Sequence, residues 1–309
     1  MRRASFSSSV AFVCFVTVVS SVSSASAQTS DQVGVRALGM GGAFTAVADD
    51  ATSTWWNPAG LAGGAFFSAI LEYAHPDDRP GEGLRGVSVG FPALGLGYYR
   101  LPLRLATLTP SIPPDSGAIA ADTADREDES VLSVFGATVG QSIGQHLVIG
   151  STVKLLHAEE TKGGLDLGAM ATFGKARFGL MVRNVTEPEF ETGFGTFKLR
   201  RHARAGAAFG TGSRGVIGDM TVAVDADLVK TPTLLGDERR LAAGGEIWML
   251  KNMVGVRGGV SVSTTGLRRS ALSGGASAAL RHGTFVDAQL TDGDDEGRHG
   301  WSVALRVTF

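Results

Sequence analysis

The chain has 309 residues, of which 43 are glycine and one is cysteine, with a net charge of −2 and a pI near 6.3. That balance offers no basic field for nucleic acid, and a single cysteine gives no disulfide framework. The glycines fall inside apolar stretches without a collagen-like period, which excludes a flexible low-complexity linker.

The first predicted element is a leader over 1–27. Arg2 and Arg3 open it, AFVCFVTVV is its apolar run, and Ala25-Ser26-Ala27 is a small-x-small cleavage site. This is the anatomy of a secretory signal peptide, and the run is too short to span a bilayer. Cys14 lacks the small residue just ahead of it that lipoprotein processing requires. Cleavage after Ala27 removes the only cysteine. Beyond residue 28 no apolar run reaches the roughly 18 to 20 residues of a membrane helix.

Residues 28–63 come next and contain VGVRALGMGGAFTAVADDATSTWWNPAGLAGG. The segment carries apolar and aromatic groups, yet it is too short to build its own core. Asp49 or Asp50 can cap a short helix over Ala51–Trp56, and Asn57-Pro58 ends it and turns the chain. Trp55 and Trp56 then need a larger structure to hide in. A plug lodged in a barrel mouth is the predicted solution.

From residue 64 to 309 the chain alternates in polarity with period two, which a helix would not sustain. In WSVALRVTF, Trp301, Val303, Leu305, Val307 and Phe309 share one face. In DMTVAVDADLV, Met220, Val222, Val224, Ala226 and Leu228 oppose Asp219, Thr221, Asp225 and Asp227. Fourteen such segments start near 65, 83, 93, 129, 146, 163, 176, 197, 217, 239, 252, 270, 283 and 300. Mostly short connections (FPA, GK, LKN, RHG) alternate with mostly longer polar ones, including the Pro- and Asp-rich stretch at 104–128. The pattern predicts an all-β fold: a 14-stranded antiparallel transmembrane β-barrel of the bacterial outer membrane, short turns on the periplasmic side, with a short N-terminal plug. A soluble sandwich would also alternate, but its wet face is usually rich in Lys, Glu and Thr. Here that face is Gly, Ala, Ser and isolated charges, which suits a crowded lumen.

A lysine or arginine facing lipid at mid-membrane costs about 2–4 kcal/mol, so the charges within strands are expected to point inward. They are Lys154, Asp166, Arg183, Arg200, Arg204, Asp225, Asp227, Glu246, Arg257 and Arg306. Their signs mix and no single-charge ring of the ion-selecting kind is evident, so structural ion pairs are favoured over a conducting path. If the eighth and ninth segments pair, Lys198, Arg200 and Arg204 lie beside Asp219, Asp225 and Asp227.

The motif GVRALGMGGAFTAVADDATSTWWNPAGLA resembles the N-terminal signature of the long-chain fatty-acid transporter (FadL) family and of its PorV-like relatives. The resemblance implies a fourteen-stranded outer-membrane barrel with an N-terminal hatch. The family's Asn-Pro-Ala hatch motif falls on Asn57, Pro58 and Ala59, after Trp55 and Trp56, and its glycine-rich stretch on Gly39, Gly41 and Gly42. The stretches LDLGAMATFGKARFGLMVRNVTEP and LAAGGEIWMLKNMVGVRGGVSV resemble the PorV-like branch more than the transporters proper. The aromatic-flanked final strand, with Trp301 and Phe309, resembles the signal by which the barrel-assembly machinery recognises such proteins. Two functions follow as expectations. One is passive transport of hydrophobic or amphipathic small molecules across the outer membrane; the other is a structural, secretion-associated barrel that anchors or shuttles a partner protein. The expected surroundings are outer-membrane lipid.

Rival chemistries have little support in the residues. GMGG at 39–42 lacks nucleotide-fingerprint spacing. Asp292, Asp294, Glu296 and Gly297 open like a calcium loop, but its twelfth position is Val303 instead of Glu. His146, His157, His202 and His282 are dispersed, with no Ser–His pair evident from spacing. No catalytic activity, cofactor or metal is expected.

Overall fold

The computed structural model describes residues 25–26, 32–76, 83–102, 131–192, 195–211, 217–233, 236–294 and 299–309. Most of the leader, the 104–128 loop and the Glu296-Gly297 part of the acidic loop lie outside these residues.

Fourteen strands close into one barrel in which every strand pairs antiparallel with its sequence neighbours. They are β1 (Ser68–Pro76), β2 (Leu84–Phe91), β3 (Leu94–Pro102), β4 (Val131–Ile143), β5 (Leu147–His157), β6 (Thr161–Phe173) and β7 (Ala176–Arg183). Then come β8 (His202–Thr211), β9 (Ile217–Asp227), β10 (Arg240–Met249), β11 (Val254–Ser263), β12 (Ser270–Arg281), β13 (Thr284–Gly293) and β14 (Gly300–Thr308). The seam runs between β14 and β1, where Leu305 faces Leu71 and Thr308 faces Ser68. Closure leaves no unpaired strand edge, the condition for a sheet to sit in lipid. The fold is that of a bacterial outer-membrane barrel.

Period two separates the two faces as the sequence requires. Met220, Val222 and Val224 are exposed on the outside of β9, as is Leu228 just past its end, while Ala223, Asp225 and Asp227 are buried inside. On β14, Trp301, Val303 and Leu305 face out, and Ser302, Ala304 and Arg306 face in. Aromatic groups mark both rims of the outer band. At the short-turn rim Phe67 packs on Phe91 and Phe309 with centroids at 5.4 and 6.0 Å; at the long-loop rim Trp301 packs on Tyr73 and His75, both at 5.7 Å. Such girdles are usual where a membrane barrel meets the headgroups.

Three expectations need correction. The eighth barrel strand starts at His202, not near 197, because residues 189–198 form a separate small hairpin, Glu189–Thr192 against Gly195–Lys198. Arg200 is therefore not a lumen charge: it stands exposed between that hairpin and β8. Lys198 is likewise outside the barrel and pairs with Glu187 at 3.3 Å. The connection between β5 and β6, expected to be long, is only Ala158–Glu160. A second small hairpin, Thr231–Thr233 with Gly236–Glu238, rises from the β9–β10 connection. Ala25–Ser26 pairs in parallel with Phe197–Lys198, an edge that cleavage after Ala27 would free.

Candidate functional site

The bore is filled by residues 33–63, almost all of them buried. Helix α1 (Val35–Gly39) leads into a reversal at Met40–Gly42, where Gly41 and Gly42 both take left-handed backbone (φ 67° and 82°). Those angles explain why glycine stands at both positions. Helix α2 (Ser53–Trp56) follows, and then a 3₁₀ turn over Pro58–Gly63. The Asp50 carboxylate accepts from the Thr52 amide at 2.9 Å in the turn ahead of α2, which starts at Ser53, two residues later than the expected Ala51, and has no side-chain cap from Asp49 or Asp50. Asn57 breaks the helix with extended backbone, and its Oδ1 caps the next turn by accepting from the Ala59 amide at 3.1 Å.

Asn57 is also a brace. Its Nδ2 donates to the Thr45 carbonyl at 2.8 Å, tying the two halves of the plug together, and to the Ala169 carbonyl of β6 at 3.2 Å. Pro58 lies against Gly150 and Gly168 on the wall, where any side chain would overlap it, and Ala59 is buried beneath. The tryptophans are held by arginines from the wall. Arg183 of β7 stands 4.7 Å above the Trp55 ring and donates to the Trp55 carbonyl at 3.0 Å. Arg204 of β8 stands 5.7 Å above Trp56, whose Nε1 donates to the Val33 carbonyl at 2.9 Å. A cation over a desolvated indole is worth about 0.5–2 kcal/mol.

Wall carboxylates bind the other side of the plug. Asp225 accepts from the Phe44 and Thr45 amides at 3.0 and 2.8 Å. Glu72 accepts from Gly34 and Val35 at 2.8 and 3.2 Å. Glu246 takes both Nε and Nη2 of Arg36 at 2.9 and 2.8 Å, while Arg36 Nη1 reaches Asp49 at 2.5 Å and Asp50 at 3.3 Å. Arg257 bridges Glu246 at 3.4 Å and Asp287 at 3.5 Å, and its stem presses on Gly39. Arg306 completes the file, 2.8 Å from Asp287 and stacked over Phe285 at 4.5 Å.

The remaining lumen charges pair within the wall. Arg204 and His202 converge on Asp227 at 2.7 and 2.9 Å. Lys154 and Asp166 form a buried pair at 2.8 Å near the long-loop rim. Trp301 and Phe309 lie on the outer surface, away from the bore. Sequence reasoning missed Arg36, Glu72 and Arg240, which donates to the Gly41 carbonyl at 3.2 Å.

At the long-loop rim the interior turns apolar. Leu84, Tyr99, Leu101, Leu132, Val134 and Leu156 of the wall join Trp55 from below, Phe190 and Phe197 from the 189–198 hairpin, and Leu199 just after it, in one buried cluster. Trp55 Nε1 is buried there without a hydrogen-bond partner.

Replacing Asn57 by alanine removes both braces at once and leaves the Thr45 carbonyl buried without its donor. The expected cost is about 1–3 kcal/mol of plug seating. Leak of a small ionic solute through reconstituted barrel should rise; an unchanged leak would show that this residue does not hold the plug.

Comparison with solved structures places this architecture. The Ralstonia pickettii toluene transporter TbuX superposes with a TM-score of 0.59 at 12% identity, covering 90% of this chain and 98% of that one. A FadL homologue of Pseudomonas aeruginosa gives 0.56 at 12% identity, and the P. putida toluene transporter TodX 0.56 at 10%, each with the same coverage. The chain has a FadL-like fold. At these identities the likeness speaks for fold alone. Residues 156–227 match the family described as F plasmid transfer operon, TraF, protein. No curated protein matches the chain.

Proposed function

We propose that this barrel is exported by its 1–27 leader to the outer membrane and passes hydrophobic or amphipathic small molecules inward past a movable hatch. The observation that carries this reading is the buried apolar cluster under the long-loop rim, in which Leu84, Leu101, Leu132, Val134 and Leu156 of the wall pack with the hatch tryptophan Trp55. Apolar surface of that kind favours an apolar guest, and the unpaired Trp55 Nε1 would suit a guest with one hydrogen-bond acceptor. The toluene transporters that share the fold support the same class of cargo. A guest opens the hatch only if it binds the open form better than the closed one.

The test is uptake of toluene and of a labelled fatty acid into liposomes holding the purified barrel. Uptake above protein-free liposomes is expected, and none would remove the reading. In that event the second reading gains: a barrel of PorV-like type that anchors or shuttles a partner protein. The match to the TraF family over 156–227, which spans the outer hairpin, is what supports it.

A further inference from the structure

The hairpin over the long-loop rim is fastened in an unusual way. Its stopper is the Phe190–Phe197 pair, stacked at 4.8 Å and 9°, with both rings buried. On the solvent side its bonds are exposed ones: the Glu191 amide to Glu160 Oε1 at 3.0 Å, and Lys198 to Glu187 at 3.3 Å. Hydrogen bonds from Lys162 and the Glu191 amide hold the Glu160 carboxyl below its ordinary range; bonds from the Arg201 amide and Lys198 do the same for Glu187. Exposed pairs of this sort hold weakly.

A buried side chain fastens the base, beside a backbone bond from the Val185 amide to the Leu165 carbonyl at 2.8 Å. Asn184 follows β7 with left-handed backbone (φ 55°) and is almost fully buried. Its amide donates to Asp166 at 2.8 Å, and its Oδ1 accepts from Lys154 Nζ at 3.0 Å. Its Nδ2 donates across the loop to the Arg200 carbonyl at 3.3 Å. One side chain thus joins the outgoing limb, the returning limb and a buried ion pair of the wall. The Lys154–Asp166 pair gains a purpose from this: it is the seat on which Asn184 rests.

We infer that residues 185–192 and 195–201 are a lid, clamped at its base by Asn184 on Lys154 and Asp166, which closes the long-loop mouth independently of the hatch. The bore then has two closures in series, one aromatic stopper outside and one plug within. The lid governs access whether or not a small molecule is the cargo.

The mature chain has no cysteine, so a single reporter can be placed without background. Leu132→Cys lies under the lid and Leu61→Cys lies on the hatch at the other end. The rate at which a sulfonated maleimide labels each is measured on the full mature chain in nanodiscs. Asn184→Ala and Asn184→Gly should each raise labelling at Leu132→Cys about tenfold or more and leave Leu61→Cys unchanged. Glycine keeps the left-handed backbone without strain, so a rise with alanine and none with glycine would overturn the clamp. Unchanged rates in both, or equal rises at both reporters, would also overturn it. If the Asn184 variants do not insert, Phe197→Ala carries the test: the same rise at Leu132→Cys alone is expected, and no rise removes the lid.

Discussion

Alanines introduced together at Gly244 and Gly259 should unseat the hatch and leave the barrel wall standing. The two residues face each other across β10 and β11, and both point into the bore. A Cβ on either would overlap the backbone of Met40, a carbonyl group that cannot swing aside like a side chain. Overpacking of this sort costs about 1–3 kcal/mol per site, and here both costs fall on the same contact. The hatch reversal at Met40–Gly41 must therefore lift from the wall. In planar bilayers the expected result is an ionic conductance absent from the parent, with the heat-sensitive gel mobility of the closed barrel retained. Gly258→Ala with Gly274→Ala is the control. These outward neighbours meet only ordinary contacts at 3.8 and 4.0 Å, and their variants should stay closed. A silent double variant at 244 and 259 would show that the hatch is not keyed to the wall by glycine.

Replacing Arg36 by methionine should have an effect of similar size for a different reason. The guanidinium contacts Glu246, Asp49 and Asp50 together, and Glu246 is almost fully buried. Removing one partner of a buried ion pair typically costs about 3–5 kcal/mol, and Arg257 at 3.4 Å from Glu246 offsets part of that cost here. The variant should leak and melt at lower temperature. The origin of the loss is tested by adding Glu246→Gln, which removes the stranded charge and keeps the side-chain shape; Arg257 then still has Asp287 and Ser277. Partial recovery of the closed state is expected. A double variant worse than the single would mean that Arg36 acts through packing on Phe44, which it covers at 5.4 Å.

The barrel was legible because its signal is repeated. Fourteen alternating segments and an even strand count left little freedom, and most strand starts fall within three residues of the pattern. The error at 197 has a plain cause: GTFK alternates like a barrel strand, and period two cannot tell a wall from a hairpin lying over it. Lumen charges were legible one by one from the cost of facing lipid, but their partners were not, because pairing with the hatch crosses more than 200 residues in the case of Arg36 and Glu246. A signal for Arg36 was available, as it is the single cation of 32–63 and stands in a segment that also carries Asp49 and Asp50. Glu72 was open to the same argument as the other in-strand charges, sitting inward in SAILEYAHP. Asn184 left no trace: a neutral residue just past a strand end gains its role only from the Lys154–Asp166 pair brought beneath it.

The internal bonds of the hatch set how it can move. Asn57 to Thr45, Trp56 to Val33, and Arg36 to both Asp49 and Asp50 lash its first half to its second. Such a body does not yield piecemeal, and its chain link to β1 is the short stretch from Gly63 to Phe67, where Gly63 touches nothing a methyl group would reach. The result is a stiff cork. Under the proposed transport function, passage through the bore is an all-or-none event, and current through single molecules should come in discrete steps instead of a graded seep.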